Sequence, residues 1–168
     1  MTTTTQPLSA ASTSLSRSAV VAATAFVLAG TLRLTAASEQ LGLSAGFAVL
    51  FFVVAAAQIG YGVALGRGTR RATATPVATA AMVITLALIG LWLVVTTATT
   101  PIYPLMTGPY PIDVIDLGTA VLEITSIIAL CRSLPQPARR RVAWALVILT
   151  AVAWLVWGGI VAVAGLSD

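Results

Sequence analysis

The sequence predicts an all-α integral membrane protein, a helical bundle of five transmembrane helices with the N-terminus in the cytoplasm and the C-terminus outside. Three observations predict this fold. Only 8% of the 168 residues are charged and 58% are hydrophobic, whereas soluble domains carry about 25% charged residues. The apolar residues form runs of about 20, the length that crosses roughly 30 Å of hydrocarbon. The arginines cluster before the first run, after the second and after the fourth.

The composition also excludes several kinds of site and partner. All nine cationic residues are arginines that lie mostly between apolar runs, so the sequence implies no nucleic acid as partner. There is no histidine, and the single cysteine, Cys131, cannot form an internal disulfide. No nucleophile and base pair, phosphate-binding loop or metal-ligand spacing is present. We therefore expect no catalytic residue, no cofactor and no metal, and the protein is predicted not to be an enzyme.

Residues 1–17 are rich in Thr and Ser and nearly free of large apolar side chains. Because such a segment cannot bury enough surface to offset the entropy of ordering, we expect a flexible cytoplasmic tail. A five-helix transmembrane domain is expected over residues 18–168, with spans at about 18–37, 44–65, 76–97, 112–131 and 142–166. Helices are the only plausible form, since an open sheet leaves its edge unsatisfied in lipid and these runs do not alternate.

The five runs differ in the residues that interrupt them. The first is broken only by Arg33, and the second carries Gln58. The third begins at Pro76, where the missing N–H costs little at a helix start. A loop with four prolines and two tyrosines, residues 99–111, precedes the fourth run, which contains three acidic residues. The fifth run contains three tryptophans, which we interpret as anchors at the membrane interface.

The orientation follows from the arginines, since short cytoplasmic loops retain Arg and translocated loops do not. With five spans, the eight arginines outside the runs all fall on one side, opposite Glu39, Asp113 and Asp168. This distribution predicts an N-in, C-out protein. In an alternative interpretation, residues 20–30 form the core of a signal peptide cleaved near Ala37, which would leave four spans. The length of the run, about a full membrane thickness, favours a span.

Polar residues within spans are expected to have a structural or functional role, because a charge at the membrane centre costs about 2.5–3.5 kcal/mol on insertion scales. Four of them are spaced by three, four and three residues on the fourth helix and therefore share one stripe, which should face protein or water. With two residues from the first and second helices they form a candidate intramembrane polar cluster: Arg33, Gln58, Asp116, Thr119, Glu123 and Ser126.

Depths estimated from the helical rise predict the partners within this cluster. Arg33 and Asp116 both lie roughly 6 Å inside the outer ends of their runs, so we expect them to pair, unless Arg33 extends to the headgroups. Glu123 lies roughly 16 Å deep and Gln58 roughly 21 Å deep. Without a cation nearby, burial favours the neutral acid at Glu123. It would then act either as a proton-relay element or, as we favour, as a structural residue that holds helices together by hydrogen bonds.

Two further features allow alternative interpretations. The loop 99–111 is either an ordinary interfacial connector, which we favour, or a lid over the polar stripe. Pairs of small residues four apart permit close helix approach, within the protein or with a neighbour: Ala56 and Gly60, Gly62 and Gly66, Gly158 and Ala162.

Seven positions between residue 33 and about residue 130 form a recognisable pattern: Glu39, Phe51, Gln58, Trp92, Pro101, Asp116 and Glu123. Over this range the chain resembles a group of small multi-pass membrane proteins of high-GC Gram-positive (actinobacterial-type) bacteria. The resemblance implies a multi-pass protein of a bacterial inner membrane and brings no activity with it. Members often carry His near the positions of Arg33 and Gln40, which this chain lacks, so no metal role carries over.

We expect a non-catalytic integral membrane protein, an accessory or structural subunit of a larger membrane complex. Its partners would be the lipid bilayer and other membrane-protein subunits. Small size and the absence of cofactor ligands and internal repeats favour this function. One alternative is a small transporter or proton-linked carrier that uses Glu123, with Asp116 and Arg33 at its outer mouth. Another is a membrane sensor whose outer loop binds a lipid or small molecule.

Overall fold

The computed structural model describes residues 16–40, 45–97 and 114–164, and these ranges are helical with no strand. Six helices follow one another: α1 (Arg17–Gln40), α2 (Ala45–Gly66), α3 (Arg70–Thr73), α4 (Thr75–Thr97), α5 (Val114–Ser133) and α6 (Gln136–Ala164). All except the one-turn α3 are long and apolar enough to cross a membrane. The prediction of an all-α bundle with five candidate spans is therefore confirmed. The expected tail and the loop 99–111 lie outside the described residues, apart from residues 16 and 17.

Two helices are longer than their apolar runs. α1 continues past residue 37 to Gln40, and α6 begins at Gln136 instead of residue 142. Pro137 lies in the first turn of α6, where a missing N–H breaks no helical hydrogen bond, and the arginines that follow are good helix formers. Hydropathy marks where a run leaves the hydrocarbon, whereas backbone hydrogen bonding decides where the helix ends.

The connection from α2 to α3 requires a glycine. Gly68 has φ 65°, a left-handed conformation that is costly for residues with a Cβ atom. Its N–H donates to Leu65 O at 2.9 Å, and the Thr69 N–H donates to Ala64 O at 3.1 Å. This pair of bonds satisfies the last carbonyls of α2 and reverses the chain. Tyr61 stabilises the turn, since its hydroxyl donates to Ala72 O at 3.0 Å.

α1 is the central helix, packed between α2 and α5, while α4 packs on α5, and α6 contacts α4 and α5. The contact with α2 depends on two glycines. A Cβ atom on Gly30 would lie 2.7 Å from Ile59 Cγ1 and 2.9 Å from Ala55 O. One on Gly62 would lie 2.8 Å from Ala23 O. The α1 and α2 backbones therefore approach as closely as small residues allow.

The apolar core lies at one end of the bundle and draws on all six helices: Ala22, Phe26, Leu65, Ala72, Met82, Leu130 and Val142 are among its members. These residues come from the beginnings of α1, α4 and α6 and from the ends of α2 and α5. The eight arginines outside the apolar runs flank the same positions in the sequence, so they gather at this end. We call it the arginine-rich end.

Candidate functional site

Three helices bring one polar side chain each to the middle of the bundle. Arg33 of α1 donates through Nη2 to Glu123 Oε1 of α5. Gln58 Nε2 of α2 donates to the same oxygen at 2.7 Å. All three are buried, with 9%, 6% and 2% of Arg33, Gln58 and Glu123 exposed. We call Arg33, Gln58 and Glu123 the polar triad.

The close approach of α1 and α2 brings the side chains of the triad within hydrogen-bonding distance. Gly30 lies one turn before Arg33, and the groups closest to it, Ala55 and Ile59, lie on either side of Gln58 along α2. Without a side chain at Gly30, α2 comes near enough for the Gln58 amide to reach past α1 to the carboxylate on α5. Phe51 adds a further contact, because the Arg33 Cζ atom lies 5.4 Å from its ring centroid. This geometry is that of a cation–π interaction.

The triad is close to electrically neutral, since the guanidinium charge of Arg33 is opposed by the carboxylate charge of Glu123. Hydrogen bonds to an ionised acceptor are about twice as strong as neutral ones, and a low-dielectric surrounding strengthens them further. The premise for a neutral acid at Glu123, that no cation lies nearby, is therefore wrong. Glu123 is placed as the anion of a buried ion pair, with an amide as its second donor.

Arg33 pairs with Glu123 and not with Asp116. The prediction failed because it measured depth from the end of the apolar run, whereas α1 continues to Gln40. Arg33 lies seven residues from that end (40 − 33), or about 10 Å. Glu123 lies nine residues from the start of α5 (123 − 114), or roughly 13 Å, and Asp116 only two (116 − 114), or about 3 Å. Arg33 is therefore level with Glu123.

The other members of the predicted cluster lie beside the triad without joining it. Thr119 and Ser126 are buried on the face of α5 that carries Glu123. Their hydroxyls donate along their own helix, Thr119 Oγ1 to Ile115 O and Ser126 Oγ to Glu123 O, both at 2.8 Å. Asp116 is half-buried on the same helix. The stripe thus faces protein, and Glu123 is its member that accepts hydrogen bonds from both α1 and α2.

Sequence reasoning missed Phe51 and Gly30 as parts of this site. Gly30 carried a usable signal, since a glycine one turn from the single arginine of an apolar run marks a face on which another helix approaches. Among the glycines of the small-residue pairs, Gly62 makes the tightest contact with α1, and a Cβ atom on Gly66 would lie 3.6 Å from Ala23 Cβ. Nothing lies within 4 Å of a Cβ built on Gly60 or Gly158, so these two face away from the described bundle.

The site's chemistry is ion pairing and hydrogen bonding. Arg33 Nε and Gln58 Oε1 are buried and have no hydrogen-bond partner among the described residues. The triad therefore has one donor and one acceptor that make no hydrogen bond there. Within the described ranges no group of three Cys, Asp or Glu side chains comes together to hold a metal ion. Compared with protein-family models, with curated proteins and with solved structures, the chain matches none of them.

Proposed function

We propose that the chain is a non-catalytic integral protein of a bacterial inner membrane, oriented N-in and C-out, and that it serves as an accessory or structural subunit of a larger membrane complex. Insertion is supported by the five long apolar helices, and the orientation by the arginine-rich end. The bacterial membrane rests on the resemblance of residues 33–130. The observation that carries the subunit function is the packing of α6.

α6 has almost no buried face. In its candidate span 6% of the residues are buried, against 22–50% in the other four. Val142, near its beginning, is the one buried side chain among those described in α6. Further along, Ile148, Trp154 and Leu155 are 59%, 58% and 76% exposed.

Membrane helices associate through side-chain packing and hydrogen bonds, since lipid tails supply little hydrophobic drive between them. The other four long helices meet this need inside the bundle, whereas α6 is joined to it mainly at one end. Most of the length of α6 is therefore available to pack against a helix of another subunit. We place the interface on α6 for this reason.

The polar triad supports the same function from inside the bundle. It joins α1, α2 and α5 through directional, charge-assisted bonds. A buried ion pair adds little stability over well-packed apolar residues, but it disfavours other helix arrangements, since they would leave a charge unpaired. The triad therefore fixes the arrangement of three helices, against which α4 and α6 are presented.

The test is purification of the tagged full-length chain from its native membrane in mild detergent. We expect a stoichiometric partner subunit to accompany the wild type. The variant Ile148→Ala/Leu155→Ala should lose it by tenfold or more, because truncating central interface residues costs over 1 kcal/mol each. Val53→Ala/Val121→Ala is the matched control, with side chains 61% and 55% exposed on α2 and α5. It should retain the partner. A chain that purifies without a stoichiometric partner, or equal loss in both variants, would contradict the proposal.

A proton-linked carrier is the second candidate, favoured by one observation. The Glu123 carboxylate has unused hydrogen-bonding groups beside it, Arg33 Nε and Gln58 Oε1, and a proton delivered to it would break the ion pair. The variant Arg33→Leu/Glu123→Leu separates the two candidates, because it removes both charges together. A subunit should still assemble and support the host complex. A carrier should assemble and lose proton-coupled transport.

A further inference from the structure

A groove of about 500 Å³ opens between α5 and α6 at the arginine-rich end. Its walls are largely aliphatic, with Ile127 and Ile128 contributed by α5 and Leu146 by α6. Arg132, at the end of α5, and Arg139 and Arg140, in the first turns of α6, also line it. One surface thus joins three arginine residues to a largely apolar groove.

The three arginines lack an anionic partner within the described residues, where the one ion pair joins Arg33 to Glu123. Two of them lie at the start of α6, where the helix dipole is positive, so their charges and the dipole repel each other. The arrangement favours an anion at this position, because an anion interacts well with both the arginine side chains and the positive end of the helix dipole.

We propose that the groove binds one anionic phospholipid, with its phosphate held by Arg132, Arg139 and Arg140 and an acyl chain lying along Ile127, Ile128 and Leu146. Charge complementarity selects the headgroup, since guanidinium binds phosphate in a bidentate manner. The aliphatic walls select a lipid over a free anion, which gains nothing from them. Basic pockets between transmembrane helices bind anionic headgroups in this way.

The proposal rests on the membrane insertion proposed above, which would place the groove at the inner headgroup level, but not on the subunit function. A failure of insertion would show as a chain absent from the membrane fraction before any lipid is added. A chain with no partner subunit would leave the lipid site untouched.

The experiment compares lipids and variants of the purified full-length chain in a neutral detergent. Native mass spectrometry measures the retention of dioleoyl phosphatidylglycerol, with dioleoyl phosphatidylcholine as the zwitterionic reference. We expect wild type to retain one phosphatidylglycerol and Arg132→Gln/Arg140→Gln to bind it about thirtyfold more weakly, since each arginine near an anionic lipid is worth about fivefold. The matched control Arg67→Gln/Arg71→Gln removes two exposed arginines at the same end that do not line the groove. It should bind as wild type does.

Cys131, the only cysteine in the sequence, also lines the groove, so its alkylation rate provides a second measurement of lipid binding. Phosphatidylglycerol should slow alkylation of Cys131 by a maleimide in wild type and in the control, but not in the groove variant. Three results would overturn the proposal: equal retention of the two lipids, equal loss in both variants, or displacement of phosphatidylglycerol by millimolar inorganic phosphate. The last would identify a site for free anions.

Discussion

The buried ion pair between Arg33 and Glu123 determines how the inner helices are joined. Removing two charges from water costs several kcal/mol each, and their mutual attraction offsets this only with good geometry and further hydrogen bonds. Gln58 provides one such bond to the carboxylate, and Phe51 lies against the guanidinium. The pair is therefore sensitive to the loss of one member and tolerant of the loss of both.

At this scale we predict strong coupling between Arg33 and Glu123. Glu123→Leu should destabilise the bundle by about 3–5 kcal/mol, because it leaves a guanidinium buried without an anion. Arg33→Leu should cost a similar amount by stranding the carboxylate. The double variant Arg33→Leu/Glu123→Leu should lie within about 1–2 kcal/mol of wild type, since the charges vanish together. Reversible unfolding in mixed detergent and denaturant measures all four proteins.

The control for this cycle is Arg33 with Asp116, the pair that the apolar runs suggested. Arg33→Leu and Asp116→Asn should be additive within about 0.5 kcal/mol, because the ion pair of Arg33 is made with Glu123. A coupling larger than that, or an additive cycle for Arg33 with Glu123, would refute the assignment of the pair.

Among the elements, the contact between α1 and α2 is the closest and the one that the triad requires. We predict that Gly30→Ala and Gly62→Ala each destabilise the bundle by about 1–3 kcal/mol, because the new methyl group meets backbone oxygens that cannot move aside easily. Gly30→Ala should also weaken the Arg33–Glu123 coupling by pushing Gln58 away. Thermal unfolding in detergent provides the measurement.

Gly60→Ala is the matched control for Gly62→Ala, because both residues lie on α2 and nothing lies within 4 Å of the Gly60 Cβ position. It should be neutral or stabilise α2 by up to about 1 kcal/mol, the helix-propensity difference between the two residues. Destabilisation by Gly60→Ala equal to that of Gly62→Ala would mean that α1 and α2 are not in close contact at Gly62.

The elements also show how far the sequence determines the structure. Run length and helical spacing were enough to locate the five long helices and to turn the face with Thr119, Glu123 and Ser126 inward. Run length and helical spacing did not predict the choice of acidic partner for Arg33. That choice depends on the continuation of α1 past its apolar run to Gln40 and on the rotation of α1, which the glycine contacts with α2 fix. α3 was missed because a one-turn helix has no periodicity to detect.

At the scale of the molecule, the described residues bury the Arg33–Glu123 ion pair and expose many large apolar side chains, as expected for a protein solvated by hydrocarbon. The arginines at one end of the bundle predict how the bundle is oriented across the membrane. A reporter fused after Asp168 should be exported, whereas one inserted within residues 67–71 should remain cytoplasmic. A cytoplasmic C-terminus would contradict the five-span topology.

Reporter fusions do not separate five spans from a signal peptide followed by four, because both place the C-terminus outside. The packing of α1 does separate them. Cleavage near Ala37 would remove the central helix and with it Arg33, leaving Glu123 buried without its cation and α2 without its main neighbour. We therefore predict that the protein purified from the membrane retains residues 17–37, which peptide mapping by mass spectrometry checks. A mature N-terminus near Ser38 would refute both the retained first span and the triad.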